Sequence, residues 1–214
     1  MNLIQSFQNI LQKISFGIVD DEKGLILPEK ITEKPLQFEK IYQNKSPLVM
    51  EFGVGKGRFM RDYATKYPNK NFFGVEKVNK WIKHSAERFE KAQLKNARLV
   101  NTDANKILAQ TPEKSISEYY ILFPDPWPKR RHQPRRIIQT NLIQQIHETL
   151  VDQGKLYIVT DHESYFQWMK KIVTPFLNTQ FKPVENEKVE FVSNYQIKYE
   201  REGRPIYSIY LQKI

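Results

Sequence analysis

No cysteine occurs among the 214 residues of this chain. That excludes disulfides, thiolate metal sites and cysteine nucleophiles. Histidine is scarce too: His84, His132, His147 and His162 show no metal-ligand spacing, so no metal is expected and each reads as a surface or packing residue. Apolar runs long enough to cross a bilayer are missing, as are internal repeats and low-complexity linkers. Acidic residues are in deficit. Twenty-four Asp and Glu face 34 Lys and Arg, for a net charge of +10, and such an excess draws polyanions electrostatically. The opening "MNLIQSFQNILQKISFG" places Ile4, Phe7, Ile10, Leu11 and Ile14 at helical spacing. It lacks the basic start and continuous apolar core of a signal peptide, and its single lysine argues against a membrane-surface helix. A cytoplasmic protein is expected, with residues 1–46 as an amino-terminal helix and loosely structured lead-in and residues 47–214 as the main domain.

What the chain does have is a rhythm. "PLVMEFG", "NFFGVEK", "ARLVNTD", "SEYYILFP" and "GKLYIVTD" read as strands. Between and after them, "RFMRDYATKY", Asn79 to Lys95, "RIIQTNLIQQIHETL" and Glu163 to Leu177 read as helices. Such alternation predicts an α/β fold, a mostly parallel sheet with helices on both faces. The tail differs: "FKPVE" and "VEFVSNYQIKYEREGRPIYSIYLQ" read as β-rich pieces around charged turns, with "PIYSIYLQ" as an antiparallel edge strand. Glu51, Glu76, Asp103 and Asp161 end strands or nearly so, and Asp125 follows the fourth. Parallel sheets bind ligands at the carboxyl ends of their strands, so five acids on that edge predict a polar site.

The loop "EFGVGKGRF" joins the first strand to the first helix and carries Gly53, Gly55 and Gly57 at two-residue steps. A dinucleotide loop would read G-x-G-x-x-G and present helix amides to pyrophosphate. Here the third spacing is absent, and Glu51 stands two residues before the first glycine. A carboxylate there suits a cation better than a pyrophosphate, which counts against a nicotinamide oxidoreductase. S-adenosylmethionine is a cation of the right kind, with a sulfonium, an amino group, ribose hydroxyls and an adenine amino group. Glu76 is placed to accept from both ribose hydroxyls and Asp103 from the adenine amino group. Each acid alone would equally well cap a helix. Their order after a glycine loop resembles the class I methyltransferases, a Rossmann-like fold.

The stretch "LFPDPWPKRRHQPRR" follows the fourth strand. Prolines at 124, 126 and 128 restrict their neighbours and set the geometry of Asp125 and Trp127. An aromatic face stacks on a base, and a carboxylate accepts from an amino or imino edge. Beside them Lys129, Arg130, Arg131, Arg135 and Arg136 are expected to line the pocket mouth and contact phosphates. A folded or single-stranded RNA element fits such a surface.

Together "EFGVGKG", "GVEK", "NTDA", "LFPDPWPKRRHQPRR", "TDH" and "SNYQIKYEREGRPIY" resemble the bacterial tRNA (guanine-N7) methyltransferases, in order, from about Pro47 to the end. The resemblance implies transfer of methyl from S-adenosylmethionine to N7 of a guanine in the tRNA variable loop. It implies cofactor contacts at Glu51, Gly53, Gly55, Glu76, Asp103 and Asp125, with Asp125 also catalytic. Substrate contacts are implied at Lys129, Arg130, Arg131, His132, Arg135, Asp161, Ser193 and Gln196. The implied partner is tRNA, with no membrane and no metal, and the chain acts as a monomer or homodimer. The family's late T-x-x-E motif reads Ser193-Asn194-Tyr195-Gln196 here; serine keeps the hydroxyl, and glutamine loses the charge but retains an acceptor oxygen. Guanine N7 bears a lone pair and no proton, so the expected chemistry is direct displacement at the sulfonium methyl without a general base. Two alternative readings are an enzyme that methylates amino groups on other nucleic acids or proteins, suggested by D-P-W, and a non-catalytic RNA-binding domain.

Overall fold

The alternation of apolar runs and amphipathic segments is realised as strands and helices wound about one sheet. The computed structural model describes residues 25–27, 35–185 and 187–214; the expected helix around Ile4 to Ile14 lies outside the described residues. In chain order the elements are β1 (Ile26–Leu27), α1 (Phe38–Tyr42), β2 (Leu48–Phe52), α2 (Arg58–Lys66), β3 (Asn71–Glu76), α3 (Asn79–Lys91), β4 (Ala97–Asn101), α4 (Ala104–Leu108) and β5 (Ile116–Leu122). A 3-10 turn (Arg130–Arg135) precedes α5 (Thr140–Thr149), β6 (Leu150–Thr160), α6 (Glu163–Val173), β7 (Phe181–Pro183), α7 (Asn194–Arg201) and β8 (Tyr207–Lys213).

The eight strands lie in the order β1-β4-β3-β2-β5-β6-β8-β7. All neighbours from β1 to β6 are parallel. At the far edge β8 runs antiparallel to β6 and to β7, as expected for "PIYSIYLQ". Strands β2 and β3 are buried at every position, the mark of a sheet covered on both faces. Leu48, Met50 and Phe52 pack with Leu142 and Ile146 of α5 and Tyr165 and Met169 of α6. Val49 packs on the other face with Phe59 and Met60 of α2 and Phe89 of α3. The two-residue period of β2 thus feeds two separate cores.

Three boundaries differ from the sequence reading. Helix α6 stops at Val173, and a short 3-10 turn takes Thr174–Phe176, because Pro175 has no amide to continue the helix. Helix α5 begins only at Thr140; Ile138 is buried ahead of it. The lead-in holds more order than its composition suggests. β1 pairs with β4, and the Tyr42 hydroxyl of α1 donates to the carbonyl of Phe72 at 2.6 Å.

The larger correction is α7. "SNYQIKYER" reads as β-rich and folds as a helix. Ser193 caps it, its Oγ accepting the amide of Gln196 at 3.1 Å. The S-x-x-Q pattern is a helix-start signal, obscured by the alternating Tyr195, Ile197 and Tyr199.

Gly57 shows how tightly the first loop joins the sheet. It begins α2 at φ +73, and a Cβ there would stand 2.7 Å from Ser85 Oγ and 2.9 Å from its Cβ. Ser85 cannot retreat, since it is fully buried and donates to the carbonyl of Gly55 at 2.8 Å. Gly57→Ala is therefore expected to destabilise the fold by about 2–4 kcal/mol, through left-handed backbone strain and overpacking. A lower denaturant midpoint at unchanged slope is the readout.

Candidate active site

The strand order reverses at β2, with β3 on one side and β5 on the other. Such a reversal opens a crevice at the carboxyl end of the strand. Parallel strands point their carboxyl ends one way, so Glu51, Glu76, Asp103, Asp125 and Asp161 all fall along that rim.

Glu51 is 2% exposed, and its Oε2 has no hydrogen-bond partner among the described residues. Burial, reinforced by the neighbouring charge of Glu76, pushes its carboxyl well above the ordinary range. Glu76, also buried, is held from two sides: its Oε2 accepts the amide of Gly55 at 3.0 Å and its Oε1 that of Val78 at 2.8 Å. The glycine loop is thus tied to the end of β3. Asp103 caps α4, accepting from the amide of Asn105 at 3.0 Å, and lies 3.3 Å from Lys77 Nζ. Burial opposes its ionisation, but the Asn105 amide and Lys77 prevail and hold its carboxyl below the ordinary range. Capping and rim position coexist in this one residue.

The proline turn leaves β5 with two residues in the left-handed region, Phe123 at φ +53 and Trp127 at φ +41. Each precedes a proline, and each such residue costs about 1–3 kcal/mol unless its surroundings hold it. Phe123 is held by β6, its amide donating to the carbonyl of Val159 at 2.7 Å, and Trp127 by Arg136. That arginine is 4% exposed, and its Nε donates to the carbonyl of Pro126 at 2.9 Å. Its guanidinium lies 4.9 Å from the ring of Tyr165 and 5.1 Å from that of Trp168. Arg136 therefore braces the turn from within and does not line the mouth, as its place in the basic block suggested. Asp125 at the apex is exposed and makes no hydrogen bond or ion pair among the described residues.

Lys129, Arg130, Arg131 and Arg135 are exposed around the 3-10 turn. Arg135 lies 5.0 Å from the Trp127 ring, whose edge meets His132 at 5.7 Å. Arg131 Nε donates to His132 Nε2 at 3.3 Å. Trp127 thus shapes the surface on which the cations stand.

Beyond β6, Asp161 is engaged by Arg204 Nη1 at 2.8 Å. Arg204 covers the ring of Tyr199 at 4.6 Å, and Tyr199 meets Phe123 at 5.5 Å. Helix α7 therefore closes the crevice opposite the glycine loop. Ser193 spends its hydroxyl on the helix cap, and Gln196 Nε2 donates to Glu200 at 2.9 Å. The sequence reading missed Arg204, Tyr195 and Tyr199 as wall residues, although all three lie in the stretch "SNYQIKYEREGRPIY".

A cavity of about 250 Å³ lies elsewhere, among Tyr63, Lys70, Glu118, Tyr120, Lys155, Tyr157 and Glu187. Its charges satisfy one another: Glu118 accepts from Tyr63, Tyr120 and Lys70 at 2.7, 2.8 and 2.6 Å. It contains none of the rim acids. Among the described residues no group of three or more His, Asp or Glu is placed to hold a metal, and no helix is long and apolar enough to cross a membrane.

Residues 45–209 match a family model described as "Putative methyltransferase". A tRNA (guanine-N(7)-)-methyltransferase of Thermotoga maritima is 31% identical over 193 residues, covering 87% of this chain and 60% of that protein. One of Alkaliphilus oremlandii is 31% identical over 176 residues, covering 80% of this chain and 83% of its own length. The chain thus spans about three-fifths of the Thermotoga relative. A solved SAM-dependent methyltransferase from Aquifex aeolicus shares the fold at TM-score 0.54 and 13% identity, covering 96% of this chain and 98% of that one.

The raised Glu51 carboxyl has a measurable consequence. Its folded state binds a proton more tightly than the unfolded chain, so its contribution to stability falls as pH rises above the ordinary 4.5 and through the raised value. Without ligand, Glu51→Gln is expected to melt higher than the wild type at neutral and mildly alkaline pH. The gap closes as pH is lowered towards 4.5. Thermal melts across that range are the check.

Proposed function

This chain belongs to the tRNA (guanine-N7-)-methyltransferase family, and from that premise we propose that it transfers a methyl group from S-adenosylmethionine to N7 of a guanine in the variable loop of tRNA. The observation that carries the reading is the pair of buried carboxylates at the strand reversal, one with an unpartnered oxygen. A buried acid of that kind calls for a cationic ligand to offset its desolvation. It stands beside a rigid turn that presents an exposed aspartate and a basic surface.

The residues fit S-adenosylmethionine. Glu51 would meet its amino group, Glu76 its ribose hydroxyls and Asp103 its adenine amino group. Each Glu76 oxygen already accepts one amide and keeps a lone pair for a hydroxyl. At Gly53 and Gly55, both with positive φ, the loop backbone can approach the ligand with no side chain between. When bound, the group supplies an electrophilic methyl on a sulfonium. Asp125 accepts from the guanine edge, orients N7 and offsets the positive charge that grows on the purine. Because N7 carries a lone pair and no proton, no residue need remove one.

Lys129, Arg130, Arg131, His132 and Arg135 grip the RNA backbone, which sets position more than sequence. Asp161, Ser193 and Gln196 face the substrate from the far wall, Asp161 under the control of Arg204. Residues 47–214 carry the methyltransferase site, and the described part of the segment before them, β1 and α1, packs into the same sheet and core. A tRNA substrate places the work in the cytoplasm.

Incubating bulk tRNA with the protein and S-adenosylmethionine, then analysing nucleosides by mass spectrometry, is expected to yield 7-methylguanosine. An N6- or N4-methylated nucleoside in its place would refute the reading. Asp125→Ala is expected to lower transfer by about 10²–10³-fold, the scale of losing one preorganised electrostatic partner, with donor affinity reduced far less. Arg131→Ala and Arg135→Ala act otherwise. Each is expected to weaken tRNA binding, to reduce the slope of log affinity against log salt by about 0.7–0.9, and to leave donor affinity intact in equilibrium titrations.

A further inference from the structure

Tyr195 is one of three large apolar or aromatic side chains exposed among the described residues, at 42%. It sits in the second position of α7 and faces the glycine loop: a Cβ on Gly55 would stand 3.7 Å from its ring. Behind it the rings continue. Tyr195 stacks on Tyr199 with centroids 6.0 Å apart and planes 29° apart, and Tyr199 meets Phe123, the residue that opens the proline turn. Arg204 covers Tyr199 and holds Asp161. A ladder of rings therefore runs from the glycine loop to the turn that carries Asp125, with its most exposed ring at Tyr195.

We propose that Tyr195 is the stacking platform for the target guanine. The inference rests on the methyltransferase reading above and deepens it. Tyr195 packs on Tyr199 with part of its ring and leaves the rest open to the crevice, where a flat partner can cover it. A purine is flat, and every base has a face for an aromatic ring. The reaction adds a second reason. Guanine N7 gains a bond to the methyl carbon as the carbon–sulfur bond breaks; the electron pair of that bond leaves on sulfur as a neutral thioether, and the purine becomes cationic without losing a proton. The electron-rich face of a phenol attracts a cation, so the contact strengthens as the methyl is transferred. Tyr195 then contributes to the transition state as well as to binding. The Tyr195–Tyr199–Phe123 ladder fixes the platform against the turn, so the purine edge is held in register with Asp125.

The test uses the full chain, tRNA and S-adenosylmethionine with three variants. Tyr195→Phe keeps the ring and is expected to retain kcat/KM for tRNA within about threefold. Tyr195→Ala and Tyr195→Leu are expected to lose about ten- to hundredfold, the range set by a single base–aromatic stack, with part of the loss in kcat. Donor affinity stays within about twofold throughout, and every variant remains folded at the assay temperature, since the ring is 42% exposed and only part of its packing is lost. If leucine serves as well as phenylalanine, the site needs only bulk and the proposal falls. If donor affinity drops in step with kcat/KM, the ring covers the donor, and the proposal falls equally. Failure of the wild type to make 7-methylguanosine would instead overturn the parent reading.

Discussion

Glu51 and Glu76 end neighbouring parallel strands, and the fold buries both at one rim. Like charges held together out of water destabilise each other and the protein that holds them. The backbone offsets this for Glu76, through the amides of Gly55 and Val78. For Glu51 no such compensation exists among the described residues. The glycine loop depends on this arrangement, because Gly55 is bound to Glu76 through its amide and to Ser85 through its carbonyl. Loop, strand end and α3 are one rigid unit built around an unmet electrostatic need. A cationic ligand meets that need, and its binding and the protein's stability are coupled through the same carboxylate.

The second rigid unit is the proline turn. Three prolines limit what the backbone can do, but they do not by themselves impose left-handed conformations on Phe123 and Trp127. At Trp127 the constraint comes from Arg136, which holds the carbonyl of Pro126 while wedged against Tyr165 and Trp168; at Phe123 it comes from β6, where the carbonyl of Val159 accepts the Phe123 amide at 2.7 Å. The basic block therefore contains two kinds of arginine. One is spent on structure and is shielded from solvent. The others stand in water, where they attract phosphates at long range and lose that pull in salt.

Helix α7 closes the crevice, and its placement depends on a network far from the rim. The segment before it is clasped to the sheet: Glu187 accepts from Lys155 at 2.7 Å and Tyr157 at 2.5 Å, Glu190 pairs with Lys66 and Tyr67, and Phe191 stacks on Tyr63. Burial pushes the Tyr63 hydroxyl up to about 12, so it remains a donor to Glu118 throughout the physiological range. The polar cavity is thus a fastening, and the wall it fastens carries Tyr195, Tyr199 and Arg204.

The alternation of strand and helix, the antiparallel last strand, the glycine loop and the acids along the carboxyl edge were all legible in the sequence. Each depends on local periodicity or on the direction of a parallel strand, and both are properties of short segments. Helix α7 was not, because Tyr195, Ile197 and Tyr199 alternate as a strand would while Ser193 and Gln196 make a helix start. Nor could the sequence separate Arg136 from Arg135. They are adjacent and chemically identical, and one is buried while the other is exposed, because what an arginine does is decided by the groups that face it. Gly55 and Tyr195 lie near opposite ends of the described chain and meet only when the sheet is assembled. Local pattern determined the scaffold and the chemistry available at its edge; tertiary packing decided which charges brace, which remain free and which rings line the site, since those depend on contacts between residues that the chain order keeps apart.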